Sequence, residues 1–426
     1  MTKIIPFKAV VYNQDKVKDP AGVVCPPYDI ISSQKQKALH ERSPYNLIHL
    51  ELGMDQASGD KYAAAGNLFR EWLKKNILVA DEKPSLYLYS QQYSIKGETK
   101  TRLGFLALLK LEDDKSPVFK HEHTHLEPKE DRLRLIRQVK ANLSPIFVVI
   151  ADKKRVIQQS LKPFSLNNKP FIDITDDEKT VHKLWRVDDP GLLEKIQAKL
   201  ADENLFIADG HHRYEVACAY RDEMRKKNPG LTGEEGFNYV MAYFTNMDSL
   251  GLTVLPIHRL VKLPSKPDMP KLILRLNEYF YAEEIKDKTK FFFMLEKAGQ
   301  AEHAIGVYNG ANYWLLRLKN IRVLDKMIAD KPAQYRCLDV AILNALILEN
   351  AMKLQLDDRS AISFSANTDE LINQVNNDNS CVAFLLNPTR IEQIVSVALN
   401  GERMPPKSTY FYPKVLSGLV VNQHGA

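Results

Sequence analysis

The chain has 426 residues, of which 44% are hydrophobic and 26% are charged. This length exceeds a single typical core, so the composition predicts an ordinary globular protein of two or three domains. The 59 basic and 53 acidic residues give a net charge of +6. Since no block of Lys and Arg resembles a nucleic-acid-binding arm, the charge pattern argues against a nucleic-acid partner.

The four cysteines, Cys25, Cys218, Cys337 and Cys381, lie far apart and form no C-x-x-C pair. Their spacing argues against a zinc ribbon or a redox motif and predicts free thiols in a reducing cytoplasm. The first residues lack the apolar segment of a signal peptide, and no run of about 18 apolar residues occurs. We therefore expect a soluble cytoplasmic protein without a membrane partner, of undefined oligomeric state.

The predicted elements of the first 150 residues mix helices with strands. Helices are expected over 34–41, capped by Ser32-Ser33, and over 62–75, and strands over 86–89, 103–111 and 146–150. A polar insert over 121–142 is expected to carry a helix that begins at Pro128. Four basic residues spaced along that helix predict a solvent-exposed face: Arg132, Arg134, Arg137 and Lys140.

Further strands and helices are predicted in the rest of the chain. Strands are expected over 171–174, 205–208, 239–244 and 252–256, and three prolines over 262–270 predict a linker. Beyond it we expect a helix over 272–279, a hairpin over 305–318 around Asn309-Gly310 and a long apolar helix over 338–354. This order predicts a mixed α/β fold.

The most informative motif is Asp209-Gly210-His211-His212-Arg213, which lies between a predicted strand and a predicted helix. Its last three residues fall on the first helical turn, where the positive end of the helix dipole favours an anion. Arg213 can add a bidentate phosphate contact, and Gly210 lets the backbone approach a ligand closely. The motif predicts a phosphate or nucleotide site.

Two interpretations of Asp209 are open. It can act as a base or a Mg²⁺ ligand beside a bound phosphate. It can instead only cap the helix, with His211 and His212 on the helix surface.

The segment His121-Glu122-His123-Thr124-His125 formally matches the H-E-x-x-H zinc-protease pattern. That pattern requires a helix, and Pro117 and Pro128 leave little room for one. The segment is therefore interpreted as a binding loop that uses His121, Glu122 and Thr124, or as a solvent-facing polar loop.

Three further segments contain phosphate-site candidates. Pro26-Pro27 fixes a turn in which Asp29 is either a general base or Mg²⁺ ligand, or a turn cap. Lys407, Ser408 and Lys414 lie in a Pro-bounded loop that either binds phosphate or is a surface loop. The pair His258-Arg259, at a strand end, is a weaker candidate or a surface pair.

Residues 210–215 resemble the active-site turn of sulfiredoxins, and residues 209–213 resemble the equivalent turn in free-serine kinases of the ParB/sulfiredoxin-like superfamily. In sulfiredoxins the catalytic cysteine lies in this turn, where His211 stands here. Cys218 lies two turns into the predicted helix and is expected in the core, so a sulfinic-acid reductase is not predicted.

Motifs along almost the whole chain resemble the domain of unknown function 1015 family. They comprise residues 25–32, 43–46, 121–124 with 128–132, 255–259, 404–414 and 417–419. The resemblance implies a ParB/sulfiredoxin-like core with a mixed sheet, plus an additional α/β C-terminal region. On this basis we expect a phosphate- or nucleotide-binding region over 1–262 and a C-terminal region over 271–426 that contributes the loop of Lys407 and Lys414.

The resemblance also implies phosphoryl transfer on serine or phosphoserine, as a phosphoserine phosphatase or a nucleotide-dependent serine kinase. The expected partners are a small phosphorylated substrate or a nucleotide such as ATP or ADP, with Mg²⁺. Catalytic candidates are Asp209, Asp29 and Glu122; binding candidates are Gly210, His211, His212, Arg213, His121, Thr124, Lys407, Ser408 and Lys414. The alternative is a ParB-like nucleotide-binding switch without turnover, although the apolar segment 338–354 is no basic DNA-recognition helix.

Overall fold

The computed structural model describes residues 2–54, 59–112 and 117–425, which form a mixed α/β fold as the sequence predicts. Packing divides the chain into two compact units. Unit 1 comprises 1–120, 124–253 and 413–426, and unit 2 comprises 121–123 and 254–412. Residues 413–426, assigned by the sequence to a C-terminal region, belong to unit 1. The expected division into a region over 1–262 and a region over 271–426 stays a prediction.

The elements follow in chain order. The first strands are β1 (Ile4–Ile5), β2 (Val10–Tyr12), β3 (Leu78–Ala80), β4 (Leu86–Ile95), β5 (Glu98–Lys110), β6 (Val118–Phe119), β7 (Ala141–Asn142), β8 (Ile146–Ile150), β9 (Ile172–Thr175), β10 (Val181–Val187), β11 (Leu205–Asp209) and β12 (Tyr239–Asn246). The first helices are α1 (Ser33–Arg42), α2 (Ile48–Glu51), α3 (Lys61–Lys74), α4 (Leu126–Val139), α5 (Val156–Asn167), α6 (Pro190–Ala201) and α7 (His211–Lys227).

The later strands are β13 (Thr253–Leu255), β14 (His258–Lys262), β15 (Phe280–Ile285), β16 (Ala304–Tyr308), β17 (Tyr313–Leu318), β18 (Ile362–Ser365), β19 (Cys381–Leu386), β20 (Tyr410–Tyr412) and β21 (Asn422–Gln423). The later helices are α8 (Met269–Leu276), α9 (Lys288–Ala301), α10 (Leu324–Met327), α11 (Ala333–Arg336), α12 (Asp339–Ile342), α13 (Thr368–Asn377) and α14 (Ile391–Leu399). Nowhere in the described ranges is a helix both long and apolar enough to span a membrane.

Unit 1 is built on a nine-stranded mixed sheet with the strand order β6-β11-β8-β12-β5-β4-β10-β9, to which β1 adds beside β5. β11 pairs in parallel with β6, and β12 with β8, while the other pairs are antiparallel. One face buries an apolar core that includes Leu88, Phe105 and Val148. Because side chains alternate along a strand, the opposite face presents Gln91, Arg102 and other polar or aromatic groups.

Unit 2 is built on a six-stranded antiparallel sheet with the order β15-β17-β16-β19-β14-β18. Alternate residues of β14 enter two different cores: Val261 packs in one and Leu260 in the other. The predicted hairpin around Gly310 is confirmed, because β16 and β17 pair across that turn and Gly310 has a positive φ of 89°.

Two expectations are corrected. Arg132 is only 6% exposed, because its guanidinium donates to the Glu51 carbonyl at 2.7 Å and to Asp131, so it does not lie on a solvated helix face. The predicted helix over 338–354 is α-helical only over α12 and then continues as a π-helix over Leu343–Ala351. The sequence does not distinguish these windings, because six of the nine residues of the π-helix are buried and leave no single apolar face to set the period.

Candidate functional site

The start of α7 is shaped by Gly210. β11 ends at Asp209, and Gly210 is the N-cap residue of α7 with a left-handed φ of 87°. A Cβ at this position would lie 3.0 Å from Arg213 Nε. Both the backbone conformation and the close approach of Arg213 therefore favour glycine.

The carboxylate of Asp209 lies between two cations. Lys414 Nζ donates to Oδ1 at 2.9 Å, and Arg213 Nη2 donates to Oδ2 at 2.9 Å. Arg213 also donates through Nη1 to the Pro145 carbonyl. Gly210, and not Asp209, is the N-cap residue of α7, and His211 is buried rather than on the helix surface, so the interpretation of Asp209 as a simple helix cap is wrong.

The charges of this cluster reinforce one another. Burial alone would raise the pKa of Asp209, but Lys414 and Arg213 outweigh burial and hold that pKa well below its usual range. Burial lowers the pKa of Arg213, whereas the Asp209 and Asp29 carboxylates raise it above its ordinary value. One carboxylate and two cations leave a net charge of +1, which suits an anionic ligand.

A buried polar pair holds the backbone that carries Lys414. Gln91 and Arg102 lie opposite each other on β4 and β5, and both are fully buried. Gln91 Nε2 donates to the Lys414 carbonyl at 2.8 Å, and Arg102 Nη2 donates to the Pro413 carbonyl. Arg102 Nε donates to Gln91 Oε1 at 3.1 Å. Sequence reasoning missed both residues, because they lie outside the predicted strands 86–89 and 103–111, where β4 and β5 continue through polar residues.

A second polar cluster flanks α7. Glu215 accepts hydrogen bonds from Thr124 Oγ1 at 2.5 Å, Lys120 Nζ at 3.0 Å and Lys129 Nζ at 3.3 Å. Burial raises the pKa of Glu215, but these donors lower it to about 2. The backbone N–H of His125 donates at 3.0 Å to Nε2 of His212, which is also a predicted site residue. Thr124 and His212 are thus brought to the same stretch of α7.

Four predicted site residues lie in unit 2. His121 is 1% exposed, and its Nε2 lies 3.3 Å from Thr409 Oγ1. Glu122 forms a parallel bridge with Met404. Ser408 is buried and donates to the Pro405 carbonyl at 2.6 Å, while Lys407 is exposed with a φ of 57°. Residues 121–125 are not helical, so they lack the geometry of the zinc-protease pattern.

The remaining candidates differ in environment. Asp29 is exposed in the 3₁₀ turn Tyr28–Ile30 of unit 1, near enough to raise the pKa of Arg213. Cys218 packs against the unit 1 core, and burial raises the pKa of its thiol, which disfavours a reactive thiolate. All four cysteines are free.

The interpretation of His258-Arg259 as a surface pair is wrong, because both residues are buried in β14. His258 Nδ1 accepts the N–H of Leu386 at 3.0 Å, and Nε2 lies 3.0 Å from Thr368 Oγ1. Burial, and then the charge of Arg259, lower the pKa of His258 to about 4. His258 is thus a neutral structural group.

The residues at Asp209 do not fit a protein-bound Mg²⁺. Each carboxylate oxygen accepts from a cation at 2.9 Å, and a divalent ion would have to displace Lys414 or Arg213. In the described part of the chain no three His, Cys, Asp or Glu residues converge as a metal site. The chemistry of this cluster is therefore derived from its cations.

A family model described as "Protein of unknown function (DUF1015)" matches residues 4–341. The chain belongs to this family. The match spans the Asp209 motif and Glu215 with its three donors, Lys120, Thr124 and Lys129. No curated protein matches this DUF1015 chain significantly.

Solved structures show only a distant likeness to this DUF1015 chain. A free serine kinase in complex with AMP is 14% identical, with 69% of this chain and 83% of that chain covered and a TM-score of 0.32. SbnI with a C-terminal truncation, from Staphylococcus aureus, is 11% identical over 75% and 87%, with a TM-score of 0.38. A conserved hypothetical protein from Pyrococcus furiosus is 13% identical over 72% and 92%, with a TM-score of 0.32. These scores are too low to transfer residue roles.

Proposed function

We propose that the chain transfers a phosphoryl group between serine or phosphoserine and either a nucleotide or water, at the cluster of Asp209, Arg213 and Lys414. The observation that carries this proposal is the buried carboxylate held between two cations at the start of α7. Phosphoryl transfer depends mainly on positioning and on stabilising the charge of the phosphoryl oxygens, which such a cluster supplies.

Each residue of the cluster has a defined role in this proposal. Asp209, ionised at neutral pH, accepts a hydrogen bond from the serine hydroxyl or from water and orients it. Lys414 and Arg213 contact the phosphoryl oxygens, and Gly210 lets the ligand approach the backbone. The first turn of α7, with His211 and His212, adds the positive end of the helix dipole.

The family motifs support serine or phosphoserine as the substrate, ATP or ADP as the nucleotide, and a role in serine metabolism in the cytoplasm. Mg²⁺ enters this proposal as an assay component, without a ligand role for Asp209. His121, Glu122, Lys407 and Ser408 remain predicted binding or catalytic residues on the strength of the same motifs. Thr124 is proposed to position α7 through its hydrogen bond to Glu215. Asp29 is proposed to stabilise the protonated form of Arg213.

The test is to incubate the full chain with O-phosphoserine, with and without ADP and Mg²⁺, and to measure free phosphate and ATP. Free phosphate without ADP identifies a phosphatase, and ATP formed only with ADP identifies a reversible kinase. If neither free phosphate nor ATP forms under any of these conditions, the proposal is contradicted. Tight nucleotide binding without either product would then support the ParB-like switch.

A further inference from the structure

Arg259 is a buried cation on an apolar sheet face of unit 2. It is 1% exposed and lies in β14, where its register partners are Phe364 on β18 and Phe384 on β19. Its next neighbour on the same face is Val261, which is fully buried. The guanidinium carbon lies 5.2 Å from the centre of the Phe364 ring, and this cation–π contact offsets part of the cost of burying the charge. The remaining cost is offset only where a negative charge accompanies the guanidinium.

The described residues of the chain give Arg259 no carboxylate partner. Nη1 donates to the Ile257 carbonyl, and Nη2 donates to the Pro406 carbonyl at 3.3 Å, the long end of hydrogen-bond distances. Nε is buried without an acceptor. Burial alone lowers the pKa of Arg259 to about 9, whereas a carboxylate would raise it. Within the described ranges the charge of Arg259 therefore has no counterion.

The turn beside Arg259 has the chemistry of an oxyanion site. Pro406 accepts from the guanidinium, and the next residue, Lys407, adds an exposed ammonium. Ser408 fixes the turn through Pro405 and through its carbonyl, which accepts from Thr389 Oγ1 at 3.0 Å. An oxyanion that displaces the weak Pro406 contact would satisfy Nε and Nη2 together, the bidentate geometry that Arg favours.

We propose that unit 2 contains an oxyanion-binding site centred on Arg259 and closed by the turn 405–408. Its ligand is a phosphate or carboxylate group, which supplies the counterion that the described residues do not. The site is built from unit 2 residues alone and needs no phosphoryl transfer at Asp209.

The test counts anion sites on the full chain by titration calorimetry, with inorganic phosphate as the probe and acetate in a parallel arm. We expect Arg259→Met to bind one phosphate fewer than the wild type. Arg317→Lys is the matched control, since Arg317 pairs with Glu283 at 3.2 Å in the same sheet, and it should keep the wild-type count. An acetate response that Arg259→Met abolishes assigns the carboxylate class, and a response to phosphate alone assigns the phosphate class.

Two results overturn the inference: an unchanged phosphate count in Arg259→Met, or no phosphate-induced slowing of amide hydrogen exchange over 404–409 in the wild type. The exchange measurement needs no variant, so it decides even if Arg259→Met fails to fold. Lys414→Met separates the two proposals. Loss of phosphate binding there with Arg259→Met unaffected favours the Asp209 site alone, and the reverse pattern favours the Arg259 site alone.

Discussion

Arg213 and Arg259 place the same buried guanidinium in two opposite electrostatic settings. The side chain of Arg213 is 10% exposed and donates to the Asp209 carboxylate, which raises its pKa despite burial. Arg259 is 1% exposed, its acceptors among the described residues are backbone carbonyls, and burial lowers its pKa to about 9. The difference teaches that burial alone does not define an anion site; the local balance of charge does. Under the two proposals, a ligand in unit 1 would join a cluster of charge +1, whereas a ligand in unit 2 would supply the negative charge that the described residues do not place beside Arg259.

The largest effect is expected from removing the Asp209 carboxylate, which accompanies Arg213 and has no counterpart among the described residues at Arg259. Asp209→Asn should lower the turnover of phosphoserine by about 100-fold or more, because the hydroxyl or water loses its acceptor and two cations lose their common partner. The measurement is kcat for phosphate or ATP release.

The matched control is Asp81→Asn. Asp81 accepts from Tyr87 at 2.8 Å and from Arg186 through two bonds of 2.8 Å, so it is also a paired carboxylate of unit 1. This variant should lose stability but keep its activity per folded molecule. Full activity in Asp209→Asn would remove Asp209 from the mechanism.

The next effect concerns the pH dependence of stability beside Arg259. His258 has a pKa lowered to about 4, against an unfolded value of about 6.5. Between these values the unfolded chain binds more protons than the folded chain, so stability falls as the pH drops through this window. The expected loss is about 3 kcal/mol as an order of magnitude.

Urea unfolding at several pH values measures this loss. His258→Gln should flatten the profile between pH 6.5 and 4, and Arg259→Met should narrow the window by raising the pKa of His258. If the unfolding free energy of both variants depends on pH as in the wild type, the charge of Arg259 does not act on His258. The contrast drawn between Arg213 and Arg259 is then wrong.

The sequence predicted local features well because local chemistry determines them. β8 was predicted at its observed bounds, and Ser32 caps α1 by accepting from the Lys35 N–H at 3.2 Å, as its residue type indicates. β10 was missed, because its polar residues break the apolar pattern: His182, buried within it, is paired to Tyr89 at 2.7 Å. His182 can be buried because it is hydrogen-bonded to Tyr89, which lies 93 residues away in the sequence and so does not enter the local pattern.

The candidate site shows the same limit. The sequence identified Asp209 and Arg213 because they lie together in one motif, and it grouped Lys414 with Lys407 in one loop. The structure assigns Lys414 to unit 1 and Lys407 to unit 2. The contact between Lys414 and Asp209 spans 205 residues, and the backbone at Lys414 accepts hydrogen bonds from a buried pair of polar side chains. No spacing rule reports such a contact.

A smaller effect is expected from that buried pair. Gln91→Leu should lower kcat by about 10-fold with a modest rise in KM, because the Lys414 carbonyl loses its donor and the ammonium moves from Asp209. Gln197→Leu is the matched control, since Gln197 Nε2 donates to the Ile4 carbonyl at 2.9 Å elsewhere in unit 1. Equal kinetic losses in the two variants would mean that Gln91 contributes only to folding.

The smallest effect separates backbone strain from contact at the start of α7. Gly97 and Gly210 have φ values of 79° and 87°, but a Cβ at Gly97 would meet nothing within 4 Å, whereas at Gly210 it would lie 3.0 Å from Arg213 Nε. Both Ala variants should lose about 1 kcal/mol of unfolding free energy through the left-handed backbone. Only Gly210→Ala should also weaken phosphate binding, by a few-fold, because Arg213 must shift away from Asp209. Equal phosphate affinities in the two variants would show that Gly210 contributes only its backbone conformation. A shift of the Arg213 guanidinium away from Asp209 would then not affect phosphate binding.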